Sequence, residues 1–296
     1  MRESFLPVSG LQIHYVEEGP KSGPLVLLLH GFPEFWFSWR HQIPALAVAG
    51  FRVVAPDLRG YNLSDKPPRV ADYDLDLLAG DVVGLIEGLG ASRAALVGHD
   101  WGGAVAWHTA AHHPQRISRL AVLDCPPPQA MARALLRDPA QTWRSWYMFF
   151  FQLPLLPEWL IGGPLFRTFT RSWTSRVEAI GEAELARYQA AAAVPGAMRS
   201  AIHYYRAALR RWRRTAFETP TKVQAPTLVL WGEKDRILRR QLIDDLGPYV
   251  DGPVTRRVIP GAGHFLQQEA PTEVNRELWA FLGPLLGSAG TSKRKS

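Results

Sequence analysis

The feature that most constrains this chain is a series of short, uninterrupted apolar runs. Pro24-Leu25-Val26-Leu27-Leu28-Leu29 is the first, followed by runs at 51–56, 94–98, 117–123 and 227–231, with a weaker one at 255–259. Runs of this length without alternation read as strands covered on both faces, which is the mark of a parallel sheet. Helical periodicity lies between them, at about 74–89, 101–113, 239–247 and 271–286. Leu11, Ile13 and Tyr15 alternate with Gln12 and His14, which predicts one arm of an antiparallel edge hairpin. The expected fold is α/β: a mostly parallel, eight-stranded sheet with helices on both faces.

The β-α alternation stops at Pro126-Pro127-Pro128 and resumes near Thr219-Pro220. The segment between is helical in pattern and aromatic in content: residues 143–173 hold 10 of the chain's 32 Phe, Tyr and Trp. The expected organisation is therefore a core over 1–127, an inserted helical cap over 128–218, and the rest of the core over 219–296, ending in a disordered basic tail from about 288. The 296 residues suit one α/β domain with such an insertion. The net charge of +7 comes mostly from scattered arginines, and no nucleic-acid-binding pattern accompanies it, so no nucleic-acid partner is expected. The densest basic stretch, Arg206, Arg210, Arg211, Arg213 and Arg214, reads as a solvated helix face, with attraction to anionic lipid or to an acidic substrate as the alternative. A single cysteine, Cys125, excludes an internal disulfide and a cysteine-based metal cluster and suits a reducing cytoplasm. Neither a secretory leader nor a spanning helix is expected.

The third run leads straight into Gly98-His99-Asp100-Trp101-Gly102-Gly103 and then a helix. Small residues at 98, 102 and 103 are what a sharp strand-turn-helix needs, and the residue at its apex is exposed at the top of the sheet. Here that residue is Asp100, which by itself would read equally as a helix N-cap. Its company favours chemistry. After the first run, His30-Gly31-Phe32-Pro33 would aim the Phe32 amide at the apex, where the Trp101 amide follows, and two such donors make an oxyanion hole. Asp235 follows the run at 227–231, and His264 follows the run at 255–259. The chain order Asp100, Asp235, His264 is nucleophile, acid, base. Asp124, at the end of the run at 117–123, is the rival acid.

In these motifs the chain resembles the α/β-hydrolase-fold epoxide hydrolases and haloalkane dehalogenases, most closely the soluble-type and epoxide-hydrolase-like branch. The resemblance spans roughly residues 5–287. It rests on His30-Gly31-Phe32-Pro33-Glu34, on Asp57-Leu58-Arg59-Gly60-Tyr61 with Ser64, on the Asp100 elbow and on Gly261-Ala262-Gly263-His264. It implies Asp100 as nucleophile, His264 as base, Asp235 (through its Gly-Glu-Lys-Asp turn) as the acid orienting His264, and the Phe32 and Trp101 amides as the oxyanion hole. The loop 57–64 would be a brace near the site. Epoxide hydrolases of this kind also use two cap tyrosines, which maps onto Tyr147, before Phe151-Gln152-Leu153-Pro154, and onto Tyr205 in Tyr204-Tyr205-Arg206, with Tyr204 as the competing assignment. Phe150 departs from the pattern, standing where some relatives carry another tyrosine.

The implied activity is conversion of apolar epoxides to vicinal diols through an aspartyl ester, with water as co-substrate and with no cofactor and no metal. Such a protein is expected to work as a monomer or homodimer. A carboxylate suits this chemistry because it is ionised at neutral pH, its reference pKa being about 3.9, and it can displace at an sp³ carbon. A dehalogenase is the alternative within enzymes. Many haloalkane dehalogenases place asparagine where Phe32 stands, however, and the arginine pair of fluoroacetate-type enzymes would fall on Trp101 and Ala104. A catalytically silent ligand-binding protein of the same fold is the alternative outside enzymes.

Overall fold

The computed structural model describes residues 1–291. The sheet has eight strands: β1 (Arg2–Val8), β2 (Leu11–Glu18), β3 (Leu25–Leu29), β4 (Arg52–Pro56), β5 (Ala94–His99), β6 (Ile117–Leu123), β7 (Thr227–Gly232) and β8 (Val254–Ile259). Their order is β1-β2-β4-β3-β5-β6-β7-β8. The expected N-terminal hairpin is present, with β1 antiparallel to β2 and β2 antiparallel to β4; every other pairing is parallel. Strands β3, β5 and β7 are buried along their whole length, which is why they read as unbroken apolar runs. Edge strand β8 is buried only at Ile259, hence its weaker signal.

On the two faces of the sheet lie α1 (Gln42–Val48), α2 (Leu75–Gly88) and α3 (Asp100–His112), and, after β8, α11 (Leu266–Glu269), α12 (Pro271–Leu282) and α13 (Pro284–Thr291). Between β6 and β7 the regular structure is helical: α4 (Pro128–Arg137), α5 (Pro139–Arg144), α6 (Trp146–Phe150), α7 (Leu156–Ile161), α8 (Phe166–Trp173), α9 (Glu182–Ala193) and α10 (Ala197–Phe217). The basic stretch lies on α10 and is largely tied down. Arg206 pairs with Glu158 and the Leu153 carbonyl, Arg211 with Asp74, and Arg214 with Glu218.

Three expectations need correction. The helix expected at 239–247 is one 3₁₀ turn, Arg240–Ile243. The Asp235 carboxylate takes the Ile237 and Leu238 amides and the Gln141 side chain takes the Arg239 amide, so the approach to that turn is committed to a loop; Gly247-Pro248 closes it off. The helix expected at 271–286 is two, because Pro284 has no amide hydrogen with which to continue α12. That proline instead opens α13, whose Leu285 and Leu286 pack on the core. The chain therefore stays helical through Thr291, past the point where the tail was expected; residues 292–296 lie outside the described residues.

Candidate active site

The turn from β5 into α3 puts Asp100 at φ +47°, a left-handed conformation that costs on the order of 1–3 kcal/mol in a non-glycine residue. Its neighbours make the turn sterically feasible. A Cβ at Gly98 would lie 2.4 Å from the Gly102 carbonyl oxygen, and one at Gly102 would lie 2.1 Å from that of Leu29. Only glycine lets α3 start this close to β3 and β5. The Asp100 side chain sits at the positive end of α3, where a carboxylate is favoured. The Trp101 amide is among the first-turn donors of that helix, which have no helical acceptor.

Strands β3 and β5 are neighbours, so the loop after β3 meets this elbow. The Phe32 amide donates to Asp100 Oδ1 at 2.8 Å, leaving Oδ2 to face His264 Nε2 at 3.5 Å. On the far side of the imidazole, His264 Nδ1 lies 2.9 Å from Asp235 Oδ2. The other Asp235 oxygen is fixed by the Ile237 and Leu238 amides at 2.7 and 2.9 Å. Burial by itself would lower the His264 pKa, but Asp235 and then Asp100 outweigh it and hold the imidazole well above 6.5. Asp100 is lowered in turn: burial opposes ionisation, and His264 more than offsets it.

Asp124 is also close by, fully buried and at φ +44°. Its Oδ1 accepts the Gly232 amide at 2.7 Å and its Oδ2 has no partner. Burial, and then the Asp235 charge, push this carboxyl well above the usual range.

Above Asp100 stand Tyr147 of α6 and Tyr205 of α10, their ring centroids 5.7 Å apart. The Tyr205 ring is held edge-on by Trp101 and Phe32, and its hydroxyl has no partner. Tyr204, the competing assignment, points away and donates its hydroxyl to the Arg59 carbonyl at 2.7 Å. Burial, and then Asp100, raise both Tyr147 and Tyr205 well above 10, so each hydroxyl keeps its proton at neutral pH. Phe150 is half-buried against Trp146 and Phe151.

Beneath the site lies a polar network that the sequence reading did not assemble. The buried Glu34 carboxylate accepts from Gly31, His99, Gln267 and Gln268. His99 spans from Glu34, at 2.8 Å, to the His264 carbonyl, at 2.7 Å. It ties the nucleophile loop to the histidine loop. The 57–64 loop is held by its own polar contacts: Arg59 forks onto Asp81, while Asp57 gathers His14, Trp36 and Asn62.

A cavity of about 460 Å³ opens from Asp100, Trp101, Tyr147 and Tyr205 along Ala104, Met131 and Leu135 to the surface, well within the range that takes a small ligand.

Known proteins bear the same architecture. The family profile described as alpha/beta hydrolase fold matches residues 24–271. Epoxide hydrolase 3 of Mus musculus is 40% identical over 293 residues, which is 97% of this chain and 78% of the relative. Epoxide hydrolase A of Mycobacterium tuberculosis is 35% identical over 315 residues, covering 95% of this chain and 97% of that one. A crystal structure of the Bacillus megaterium epoxide hydrolase in complex with an inhibitor superposes with a TM-score of 0.84 at 31% identity, over 95% of this chain and 100% of that chain. At such identity over nearly its whole length, the chain belongs to the epoxide hydrolases of the α/β-hydrolase fold.

Proposed function

We propose that this enzyme opens apolar epoxides to vicinal diols in two chemical steps, under a cap formed by residues 128–218. The observation that carries the reading is one connected line of groups: Asp235, His264 and Asp100 in contact, with two protonated phenols above and a mostly apolar cavity leading in. Asp100 Oδ1 is held by the Phe32 amide, so Oδ2 is the attacking atom. It forms a bond to an epoxide carbon as the carbon–oxygen bond breaks, and the released oxygen takes a proton from Tyr147 or Tyr205. In the second step His264 removes a proton from water, which attacks the Asp100 carbonyl carbon. The charge that develops on Oδ1 meets the Phe32 and Trp101 amides. Collapse expels the diol oxygen, which takes the proton from His264; the proton on the incoming hydroxyl returns to the deprotonated tyrosine, and the Asp100 carboxylate is restored. Protein groups and water carry every step, all from one chain, so neither a cofactor nor a second copy is required.

Diol formation from styrene oxide, run beside a halide-release assay on 1-chlorobutane, tests the reading. Diol without halide is the expected result; halide release without diol would replace it with dehalogenation. The free Tyr205 hydroxyl favours the epoxide, because an opening ring needs a proton donor whereas a leaving halide does not.

The acid is assigned to Asp235. Asp235→Asn is expected to slow ester hydrolysis by ~10²–10⁴-fold, since the imidazole loses the charge that orients it. Asp124→Asn exchanges a carboxyl whose ionisation burial disfavours for an amide of the same shape, and is expected to change the rate by less than about threefold. Single-turnover kinetics on the two variants check this, and the opposite ranking would move the acid to Asp124.

The imidazole is supported by two carboxylates in the free enzyme and by one in the ester, because alkylation erases the Asp100 charge. Ester hydrolysis needs neutral His264, so its rate should rise with pH through a midpoint lower than that of His264 in the free enzyme. Quenched-flow hydrolysis and an NMR titration of the imidazole give the two midpoints; equal values would mean that Asp100 does not sustain the raised pKa.

No helix among the described residues is long and apolar enough to cross a membrane. A cytoplasmic setting suits the single buried thiol, Cys125. The partly exposed Arg211 and the exposed Arg214, each with a carboxylate partner, support a solvated face over a membrane contact, whereas Arg206 is mostly buried against Glu158 and the Phe151 and Leu153 carbonyls.

A further inference from the structure

The site is lopsided, and the asymmetry bears on which epoxides fit. Resting on the proposed epoxide chemistry, we infer that the substrate is a terminal epoxide carrying a single apolar arm. The cavity leaves the reacting groups on one side only, along Ala104 of α3 and Met131 and Leu135 of α4. The other side is a packed aromatic wall of Phe32, Phe151, Phe169 and Trp173, none of which lines the cavity. Phe32 meets Phe151 at 5.5 Å and Trp173 at 6.1 Å, and Phe169 meets Trp173 at 4.7 Å. All four are buried, the most exposed being Phe169 at 8%.

The wall is also fixed to the reacting groups. Trp173 packs on Tyr147 at 4.9 Å and edge-on to His264 at 5.5 Å, and Phe151 packs on Tyr205 at 4.9 Å. An epoxide whose oxygen reaches both tyrosines and whose carbon meets Asp100 has one ring carbon directed into the cavity and the other against these rings. Hydrogens fit against the wall, whereas a propyl group would have to displace interiors packed as densely as an organic crystal. Filling the open side gains apolar burial with each methylene, up to the length of the cavity.

The isomers 1,2-epoxyoctane and 4,5-epoxyoctane separate this inference from the reaction itself, since they share composition and apolarity but differ in having one arm or two. The wild-type enzyme is expected to favour the terminal isomer in kcat/KM by ~10²-fold or more, given what a single misfitting methylene costs in an apolar pocket. Diol from both isomers within about threefold would overturn the one-armed substrate while leaving epoxide hydrolysis intact; diol from neither would overturn both. A second measurement places the arm. In Ala104→Phe the ratio of kcat/KM for 1,2-epoxyoctane to that for 1,2-epoxypropane is expected to fall at least ~10-fold, and because it is a ratio, any inactive fraction cancels. An unchanged ratio would put the arm elsewhere and overturn the assignment.

Discussion

The His264→Gln variant, mixed with a terminal epoxide, is expected to gain the mass of one substrate and to keep it. The attack by Asp100 Oδ2 needs an ionised carboxylate and a proton donor for the epoxide oxygen. The first is stabilised by the Phe32 amide and the start of α3, and the second comes from the tyrosines. His264 also helps to hold Asp100 ionised, so its loss should slow the attack, but neither group requires a basic imidazole. Water attack on the resulting ester does, because glutamine cannot take the proton, and hydrolysis should slow by ~10³-fold or more. The enzyme then accumulates in covalent form. Intact mass spectrometry reads the adduct, and peptide mapping should put it on the segment containing Asp100. Asp100→Asn should show none. The competing mechanism, in which Asp100 only positions a water that attacks the epoxide directly, predicts no adduct in either variant. Absence of adduct in His264→Gln, with substrate shown to bind, would end the covalent mechanism.

What the sequence revealed, and what it hid, follows from how far apart the interacting residues lie. Strands β3, β5 and β7 were legible because a parallel strand buried on both faces has to be apolar along most of its length. Asp100, Asp235 and His264 were legible because each follows a strand end with a small-residue turn, so local pattern and chemistry coincide. The segment after Asp235 was misread because hydrophobic periodicity cannot register that Asp235 and Gln141, the latter nearly a hundred residues earlier, capture its amides. The same reason hid the network beneath the site. Glu34 and His99 stood in motifs that were already singled out, yet nothing local links them to Gln267 and Gln268, which only the packed sheet brings to Glu34. Short helices such as α5 to α7 are also weakly written, because helices of five or six residues are held by tertiary packing and not by their own propensity. Tyr205 was separable from Tyr204 only in three dimensions, where one hydroxyl is spent on the Arg59 carbonyl and the other is not.

That difference between adjacent tyrosines underlies the second large effect. Replacing both Tyr147 and Tyr205 with phenylalanine is expected to stop ester formation, with a loss of ~10⁴-fold or more, while each single variant keeps partial activity. A ring-opened epoxide leaves an alkoxide in a cavity walled by apolar groups, where an unpartnered charge is costly. One phenol can still supply a proton, so a single Phe should cost about 10²-fold; two remove every donor placed above Asp100. The fold should tolerate the change. Both rings are buried by aromatic neighbours on several sides, and phenylalanine preserves that packing. Tyr204→Phe is the internal control. It removes a hydrogen bond to Arg59 and should lower stability by about 1 kcal/mol with little effect on the rate of alkylation. Pre-steady-state alkylation measured in the His264→Gln background isolates the first step, so the tyrosine effect is read free of hydrolysis. Alkylation at the wild-type rate in the double Phe variant would remove both tyrosines from the reaction. A loss confined to Tyr204→Phe would shift the donor by one residue, and with it the register of α10 over the site.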